Sequence, residues 1–284
     1  MNLAGYGALV GATPIVRISE RIFAKLETYS PTGSVKDRMV RYVVARAIER
    51  GEITPDSLLC EATSGNTGIA LSSIAAHLGL PCVIFMPSNM SEERKQMMSA
   101  YGATFIDAPP NDFTRAIEMR DEWLRERPGA WSPLQFSNPL NVECHYALTA
   151  PEIGEGVAAA GLVWSDFVHG SGTGGTIEGV RRWAQPKGVR VHMTIPAESP
   201  HGIQGIGDGR HFLASPELMD SEVHVSTQDA IDRAKRFARE TGILVGISSG
   251  ANLVAAERVA EQGGTGAIVT ILCDRGERYL SVYR

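Results

Sequence analysis

The stretch Pro31-Thr32-Gly33-Ser34-Val35-Lys36-Asp37-Arg38 joins a turn-rich segment to the start of a helix. Its proline and glycine favour a bend, and its threonine and serine are residue types that cap helices. Apolar residues then recur at helical spacing over residues 39–48. Lys36 therefore lies at a helix start, where the helix dipole and unpaired N–H groups disfavour a cation.

Two interpretations of Lys36 follow from this position. A lysine considered in isolation is usually exposed to solvent. The alternative is a reactive amine, because an imine with a carbonyl cofactor makes a lysine a covalent attachment point and a desolvated lysine is a good base. The rest of the chain decides between them.

Composition limits the class of protein. A chain of 284 residues with 43% hydrophobic content can bury one large core or two linked ones. A net charge of -5 and a pI near 5.8 argue against a nucleic-acid or anionic-membrane partner. No apolar run reaches the roughly 20 residues of a transmembrane helix and no signal peptide is recognisable, so we expect a cytoplasmic protein. The four cysteines lack a C-x-x-C pair, so neither a metal site nor a disulfide framework is implied.

Strand-like and helical patterns alternate along the chain. The predicted strands are 15–18, 22–26, 58–61, 82–86, 104–106, 134–136, 163–168, 189–195, 222–225, 244–247 and 267–272. The predicted helices are 39–50, 67–77, 91–101, 113–127, 141–159, 176–184, 228–240 and 252–262. This rhythm is typical of β-α-β units with parallel strands, and the length suits two α/β units with a seam near residues 136–139.

Two glycine-rich loops follow predicted strands and precede predicted helices. Thr63-Ser64-Gly65-Asn66-Thr67-Gly68 offers backbone N–H groups and hydroxyls to a carboxylate or phosphate, and the simpler alternative is a helix cap with a tight turn. Gly170-Ser171-Gly172-Thr173-Gly174-Gly175-Thr176 is typical of a phosphate site. The same loop fits G-x-G-x-x-G, but Glu198 lies too far along the chain for the ribose-binding acid of a dinucleotide site.

A third loop, Gly246-Ile247-Ser248-Ser249-Gly250, has serines that could contact a ring nitrogen, although on this loop alone helix capping is the favoured interpretation. In open α/β sheets ligands bind at the carboxyl ends of strands, where all three loops are predicted to lie. Among the five lysines, only Lys36 also occupies a turn at a strand-to-helix junction. One amine, one phosphate loop and one carboxylate loop indicate pyridoxal phosphate and an amino acid.

These segments together resemble the motif set of a known family. They are Pro31 to Arg38, Thr63 to Gly68, Gly172 to Thr176, Gln204 to Gly207 and Gly246 to Gly250. The set resembles that of the cysteine synthases, or O-acetylserine sulfhydrylases, which are fold-type II pyridoxal-phosphate enzymes. The resemblance extends over about residues 13–281, with the motifs in the expected order.

The resemblance implies an α/β fold of two domains, like the tryptophan synthase β chain, each a twisted, mostly parallel sheet flanked by helices. Residues 1–38 and 136–284 would form the large cofactor-binding domain. Residues 39–135 would form a small mobile substrate-binding domain that closes on it. The resemblance also implies a homodimer and, as a further partner, the carboxyl-terminal peptide of serine acetyltransferase.

The resemblance also implies roles for single residues. Lys36 would form the internal aldimine with the cofactor and remove the substrate's Cα proton. Asn66 would contact the cofactor's 3-oxygen, and Ser248 would face its pyridine nitrogen without protonating it. The phosphate would be held by Gly172, Thr173, Gly174, Gly175 and Thr176. The substrate carboxylate would be bound by Thr63, Ser64, Asn66, Thr67 and Gln135, with Gly205 in a loop that faces the substrate.

The implied reaction replaces the acetoxy group of O-acetyl-L-serine by sulfide, through an α-aminoacrylate, and gives L-cysteine and acetate. Departures from the family pattern leave the donor and the nucleophile open. They are Ala62, Asp208, Arg210, His211, Cys273, Asp274 and Arg275. O-phosphoserine as donor, serine with homocysteine as in cystathionine β-synthase, and a regulatory peptide-binding homologue are the alternatives. A nicotinamide-dependent dehydrogenase is a distant one, resting on the Gly170 pattern alone.

Overall fold

The computed structural model describes residues 3–63, 65–207 and 212–284. The described residues of Met1–Val10 and Ser30–Asn138 form one compact unit, and those of Gly11–Tyr29 and Pro139–Arg284 form the other. We call them the four-stranded and the six-stranded unit, after their sheets. The boundary after Asn138 falls in the stretch where the sequence predicts a seam. The division into a cofactor-binding and a substrate-binding domain at residues 38 and 136 stays a prediction.

The four-stranded unit is built on a parallel sheet with strand order β5-β4-β3-β6. Its strands are β3 (Leu58–Ala62), β4 (Cys82–Pro87), β5 (Thr104–Ala108) and β6 (Ala130–Trp131). Its helices are α1 (Ala4–Gly7), α2 (Lys36–Glu49), α3 (Asn66–Leu78), α4 (Glu92–Ala100) and α5 (Phe113–Arg125). The central strands β3 and β4 are apolar almost throughout because helices cover a parallel sheet on both faces. Part of the core forms where Cys60 and Phe85 pack against Ala116 of α5.

The six-stranded unit contains a sheet with strand order β1-β2-β10-β7-β8-β9, in which only the β1–β2 pair is antiparallel. Its strands are β1 (Ile15–Arg17), β2 (Ile22–Leu26), β7 (Trp164–Gly170), β8 (Arg190–Pro196), β9 (Ser221–Val225) and β10 (Ala267–Leu272). Its α-helices are α6 (Leu140–Cys144), α7 (Ala150–Ala159), α8 (Gly175–Ala184), α9 (Thr227–Thr241) and α10 (Ile247–Glu261). A π-helical turn, His145–Thr149, joins α6 to α7. Val168 and Ile268 of the sheet pack with Ala255 of α10 in the core.

Two predicted strands are wrong. Residues 134–136 form a turn, because Leu134 has a φ of +52°, which a strand cannot accommodate. The strand in this part of the chain is β6, which ends at Trp131. Residues 244–247 do not form a strand either. Val245 makes one isolated bridge to Arg275, and α10 begins at Ile247, five residues before the predicted helix start. Short apolar runs of this kind have no periodicity that separates a strand from a turn or a helix start.

The fold class predicted from the sequence is confirmed: both units are α/β structures in which a mostly or wholly parallel sheet is flanked by helices. In each unit a glycine-rich loop leaves the carboxyl end of a strand, β3 in one and β7 in the other. Among the described residues no helix combines the length and apolar character needed to cross a membrane.

Candidate active site

Lys36 is the first residue of α2 and is half-buried. The turn before it is organised by the next residue, Asp37, which is fully buried. Its carboxylate accepts hydrogen bonds from the Thr32 hydroxyl at 2.9 Å, the Ser34 N–H at 3.2 Å and the Thr32 N–H at 3.3 Å. The helix has no side-chain cap, and the Ser34 hydroxyl accepts from the Lys36 N–H at 3.4 Å. Asp37 therefore sets the backbone from which the Lys36 side chain projects.

The second predicted segment leaves β3 and enters α3 at Asn66. Thr63 and Thr67 are buried, and Asn66 is half-buried. The Thr63 hydroxyl accepts from the Gly65 N–H at 3.1 Å, which tightens the turn. A Cβ on Gly65 would lie 2.6 Å from Cδ of Arg94, so glycine lets the buried Arg94 side chain pack against this loop. The segment thus presents a helix amino terminus and small hydroxyls, a combination that binds anions.

Gln135 lies next to this segment although it is 68 residues away from Thr67 in sequence. The Thr67 hydroxyl donates to the Gln135 side-chain oxygen at 2.6 Å, and Gln135 Nε2 donates to the Ala62 carbonyl at 3.1 Å. The structure therefore brings together the predicted substrate residues Thr63, Asn66, Thr67 and Gln135. Ser64 lies outside the described residues, as do Asp208, Arg210 and His211.

The predicted phosphate loop follows β7 in the six-stranded unit. Gly174 has a φ of +87°, a conformation that favours glycine, and α8 begins at Gly175. The Thr173 hydroxyl accepts from Asn141 Nδ2 at 3.0 Å and from the Gly175 N–H at 3.3 Å. The Thr176 hydroxyl is hydrogen-bonded to His145 Nε2 at 3.2 Å. Both threonines are thus held by buried side chains of the preceding helical segment.

Two further predicted residues lie against the phosphate loop. A Cβ built on Gly172 would be 2.5 Å from the Gly205 carbonyl oxygen, so two backbone segments touch at this point. A Cβ built on Gly205 would lie 3.4 Å from the Ser248 hydroxyl oxygen. Ser248 is buried in the first turn of α10, whose N-cap is Gly246 and carries no side-chain cap. The capping interpretation of this serine is therefore wrong, and Gly172, Gly205 and Ser248 converge.

The sequence reasoning missed the residues that support these loops. In the four-stranded unit they are Asp37, Glu61, Arg94 and Arg120, and in the six-stranded unit they are Asn141, His145 and Asn252. The one signal available was Glu61, a charged residue inside an otherwise apolar strand, because a buried carboxylate needs partners. The others belong to helices whose residue pattern gives no indication of what they contact.

Residues 7–274 match the family described as pyridoxal-phosphate dependent enzyme. The match extends over most of the chain, so this protein belongs to that family, and its cofactor is pyridoxal phosphate.

Within the family the chain is similar to enzymes of sulfur amino-acid chemistry. It is 36% identical over 295 residues to the cysteine synthase of Staphylococcus aureus (strain N315), covering 96% of this chain and 94% of the relative. The hydrogen sulfide-producing enzyme of Fusobacterium nucleatum is 37% identical, with a TM-score of 0.92 over 98% of this chain and 90% of that chain. The O-acetylserine dependent cystathionine beta-synthase of Helicobacter pylori is 33% identical, with a TM-score of 0.90 over 99% of this chain and 98% of that chain.

The residues after β7 fit the phosphate of this cofactor. A loop with a left-handed glycine at the start of a helix presents backbone N–H groups to an anion. The Ser171 hydroxyl is buried beside the loop and has no hydrogen-bond partner among the described residues. A buried hydroxyl without a partner is costly, so a ligand atom at this point would satisfy it.

Proposed function

We propose that this protein is a cysteine synthase that converts O-acetyl-L-serine and sulfide into L-cysteine and acetate. The observation that carries the proposal is the Thr67–Gln135 hydrogen bond at the carboxyl end of β3, beside a helix amino terminus suited to a carboxylate. Similarity over nearly the whole length of a cysteine synthase supports it.

Each residue has a separate task in the proposed reaction. Lys36 would hold the cofactor through its side-chain nitrogen until the substrate amine replaces it, and the amine so released would take the Cα proton of the substrate. When bound, pyridoxal phosphate supplies the electron sink that makes this proton acidic. Gly172, Thr173, Gly174, Gly175 and Thr176 hold the phosphate, Ser248 gives the ring nitrogen a neutral hydroxyl, and Asn66 contacts the 3-oxygen.

The substrate carboxylate binds to the loop that follows β3. Thr63, Ser64, Asn66 and Thr67 supply donors from this loop, and Gln135 adds its side-chain amide. Removal of the Cα proton by Lys36 expels acetate from Cβ, sulfide adds to Cβ, and Lys36 returns the proton to Cα. The Gly205 segment is the proposed substrate-facing loop.

A matrix of donors and acceptors tests the proposal. The purified protein loaded with pyridoxal phosphate is incubated with O-acetyl-L-serine, O-phospho-L-serine or L-serine, each with sulfide or homocysteine, and the products are measured by mass spectrometry. We expect the highest kcat/KM for O-acetyl-L-serine with sulfide, and no turnover by Lys36→Ala. Absence of cysteine, or a preference for another donor, would contradict the proposal.

A second candidate shares the donor and differs in the acceptor. The Helicobacter pylori relative, described as O-acetylserine dependent, is a cystathionine beta-synthase and matches this chain over 99% of its length. Cystathionine formed faster than cysteine in the same matrix would favour this candidate.

The proposal also includes two partners. One is a second copy of the chain in a homodimer, which light scattering of the purified protein tests. The other is a serine acetyltransferase carboxyl-terminal peptide, whose binding calorimetry tests.

A further inference from the structure

The backbone of Gln135 lies outside the sheet and is hydrogen-bonded to the side chain of Glu61. Gln135 lies in the turn that follows Leu134, and it is 3% exposed. Its backbone N–H donates to Oε2 of Glu61 at 3.0 Å. Within the turn the Ser137 and Asn138 N–H groups donate to the Leu134 carbonyl, and the Glu61 carboxylate ties the Gln135 backbone to β3.

The Gln135 side chain joins the two ends of the loop that follows β3. Its amide nitrogen donates to the Ala62 carbonyl, before the loop, and its oxygen accepts from Thr67, after it. Moving Gln135 would therefore change the spacing between the end of β3 and the first turn of α3. That spacing determines where the donors of Thr63 and of residues 65–67 point.

Glu61 is in turn held by Arg120 of α5. The carboxylate is fully buried and the arginine side chain is 4% exposed. Oε1 of Glu61 accepts from Arg120 Nη1 and from the Ala62 N–H, the latter at 2.8 Å. Arg120 Nη1 also donates to the Ser132 hydroxyl at 3.3 Å, close to the start of the turn. Burial raises the pKa of Glu61, and the Arg120 charge and the N–H donors of Gln135 and Ala62 oppose the increase.

We propose that Glu61 and Arg120 are positioning residues that set the selectivity of this enzyme for substrates with a free α-carboxylate. They act through Gln135 and Thr67, and the inference rests on the proposed role of those two residues in carboxylate binding. A buried ion pair contributes little net stability, because desolvation of both charges offsets their attraction. Breaking it by removal of one partner leaves a buried charge that the surrounding loop must rearrange to solvate.

Ligand binding to the protein loaded with cofactor tests the inference without turnover. L-serine and L-serine methyl ester are titrated against the wild type, Arg120→Met and Glu61→Gln, and the visible absorbance of the cofactor reports binding. We expect Arg120→Met to weaken L-serine binding about 10- to 100-fold, as the loss of a hydrogen bond to a charged group does. Binding of the methyl ester, which lacks the carboxylate, should change less than about 3-fold, so the preference for the acid falls. Arg120→Lys, which keeps the positive charge, should recover part of the preference for the acid over the ester.

Arg233→Met is the matched control. Arg233 is 5% exposed and is paired at 2.7 Å with Glu257, which is 33% exposed, so its loss also removes a buried arginine from an ion pair, at α9 and α10. We expect this variant to keep the wild-type preference for the acid over the ester. If Arg120→Met and Glu61→Gln keep that preference as well, or if the wild type has none, the inference is wrong. The cysteine assay decides the proposed function separately. Arg120→Lys and Glu61→Gln keep the test decisive if Arg120→Met does not fold.

Discussion

At the scale of single residues, Asp37 determines the turn from which Lys36 projects. Three hydrogen-bond donors of Thr32 and Ser34 converge on one buried carboxylate. Hydrogen bonds to an ionised acceptor are stronger than neutral ones, and they hold the backbone of residues 32–34 against the first turn of α2. The backbone that carries Lys36 is thus fixed by the side chain of its neighbour in the sequence.

Asp37→Ala should therefore destabilise the protein. The Thr32 and Ser34 donors lose this acceptor inside the protein, which costs about 1–3 kcal/mol of the free energy of unfolding. Urea unfolding followed by circular dichroism measures the effect. Asp56→Ala is the control, because Asp56 is exposed, and its effect should stay within about 0.5 kcal/mol. Equal stability of the two variants would show that Asp37 does not organise the turn.

At the scale of elements, the predicted phosphate loop of the six-stranded unit packs against a second segment. The Gly207 N–H donates to the Ser171 carbonyl at 2.8 Å, and the Leu213 N–H donates to the Thr173 carbonyl at 3.0 Å. Gly172 touches the Gly205 carbonyl with no room for a side chain. The loop after β7 and the segment around Gly205 are therefore packed backbone to backbone.

Gly172→Ala should weaken cofactor binding. Its Cβ would lie 2.5 Å from a carbonyl oxygen that belongs to backbone, so one of the two segments must move. We expect the dissociation constant of pyridoxal phosphate to rise at least about 10-fold, because the proposed N–H donors to the phosphate would be displaced. Fluorescence titration of the cofactor-free protein measures it. Gly5→Ala, where nothing lies within 4 Å of the new Cβ, should bind the cofactor like the wild type. Unchanged affinity of Gly172→Ala would contradict the assignment of this loop.

At the scale of the whole molecule, acid stability depends on a hydrogen-bonded chain across three strands of the larger sheet. His192 on β8 is bonded to Asp166 on β7 at 2.8 Å and to Ser221 on β9 at 2.7 Å. Burial by itself raises the pKa of Asp166. The hydrogen bonds from His192 and Ser165 and the charge of Arg190 outweigh burial, so the pKa of Asp166 lies below its ordinary value.

A lowered pKa in the folded state gives a defined pH dependence. The contribution of Asp166 to stability is complete above its unfolded pKa of about 4 and is lost as the pH falls through the lower folded value. Asp166→Asn should therefore show a flatter decline in the free energy of unfolding between about pH 4 and pH 2 than the wild type. Urea unfolding at a series of pH values measures the slope. Asp232 is an exposed carboxylate on α9, so the control variant Asp232→Asn should keep the wild-type slope. An unchanged slope in Asp166→Asn would refute the expectation.

The alternation of apolar strands with amphipathic helices predicted most elements correctly. Prediction failed at residues 134–136 and 244–247, where the outcome depended on partners distant in sequence. Gln135 is held by Glu61, 74 residues away, and Gly246 donates to the carbonyl of Asp274, 28 residues away, at 3.0 Å. Periodicity reports on the face that a segment buries, and it contains no information about such partners.

The sequence by itself determined the α/β class and the order of the glycine-rich loops, because these follow from local chemistry, and it singled out Lys36 among five lysines as the predicted reactive amine. Only the tertiary structure decided that Thr67 meets Gln135, that Gly172 meets Gly205, and that a buried Glu61–Arg120 pair supports the loop after β3. Those contacts join segments separated by tens of residues. They are set by how strands and helices pack, and no local pattern encodes them.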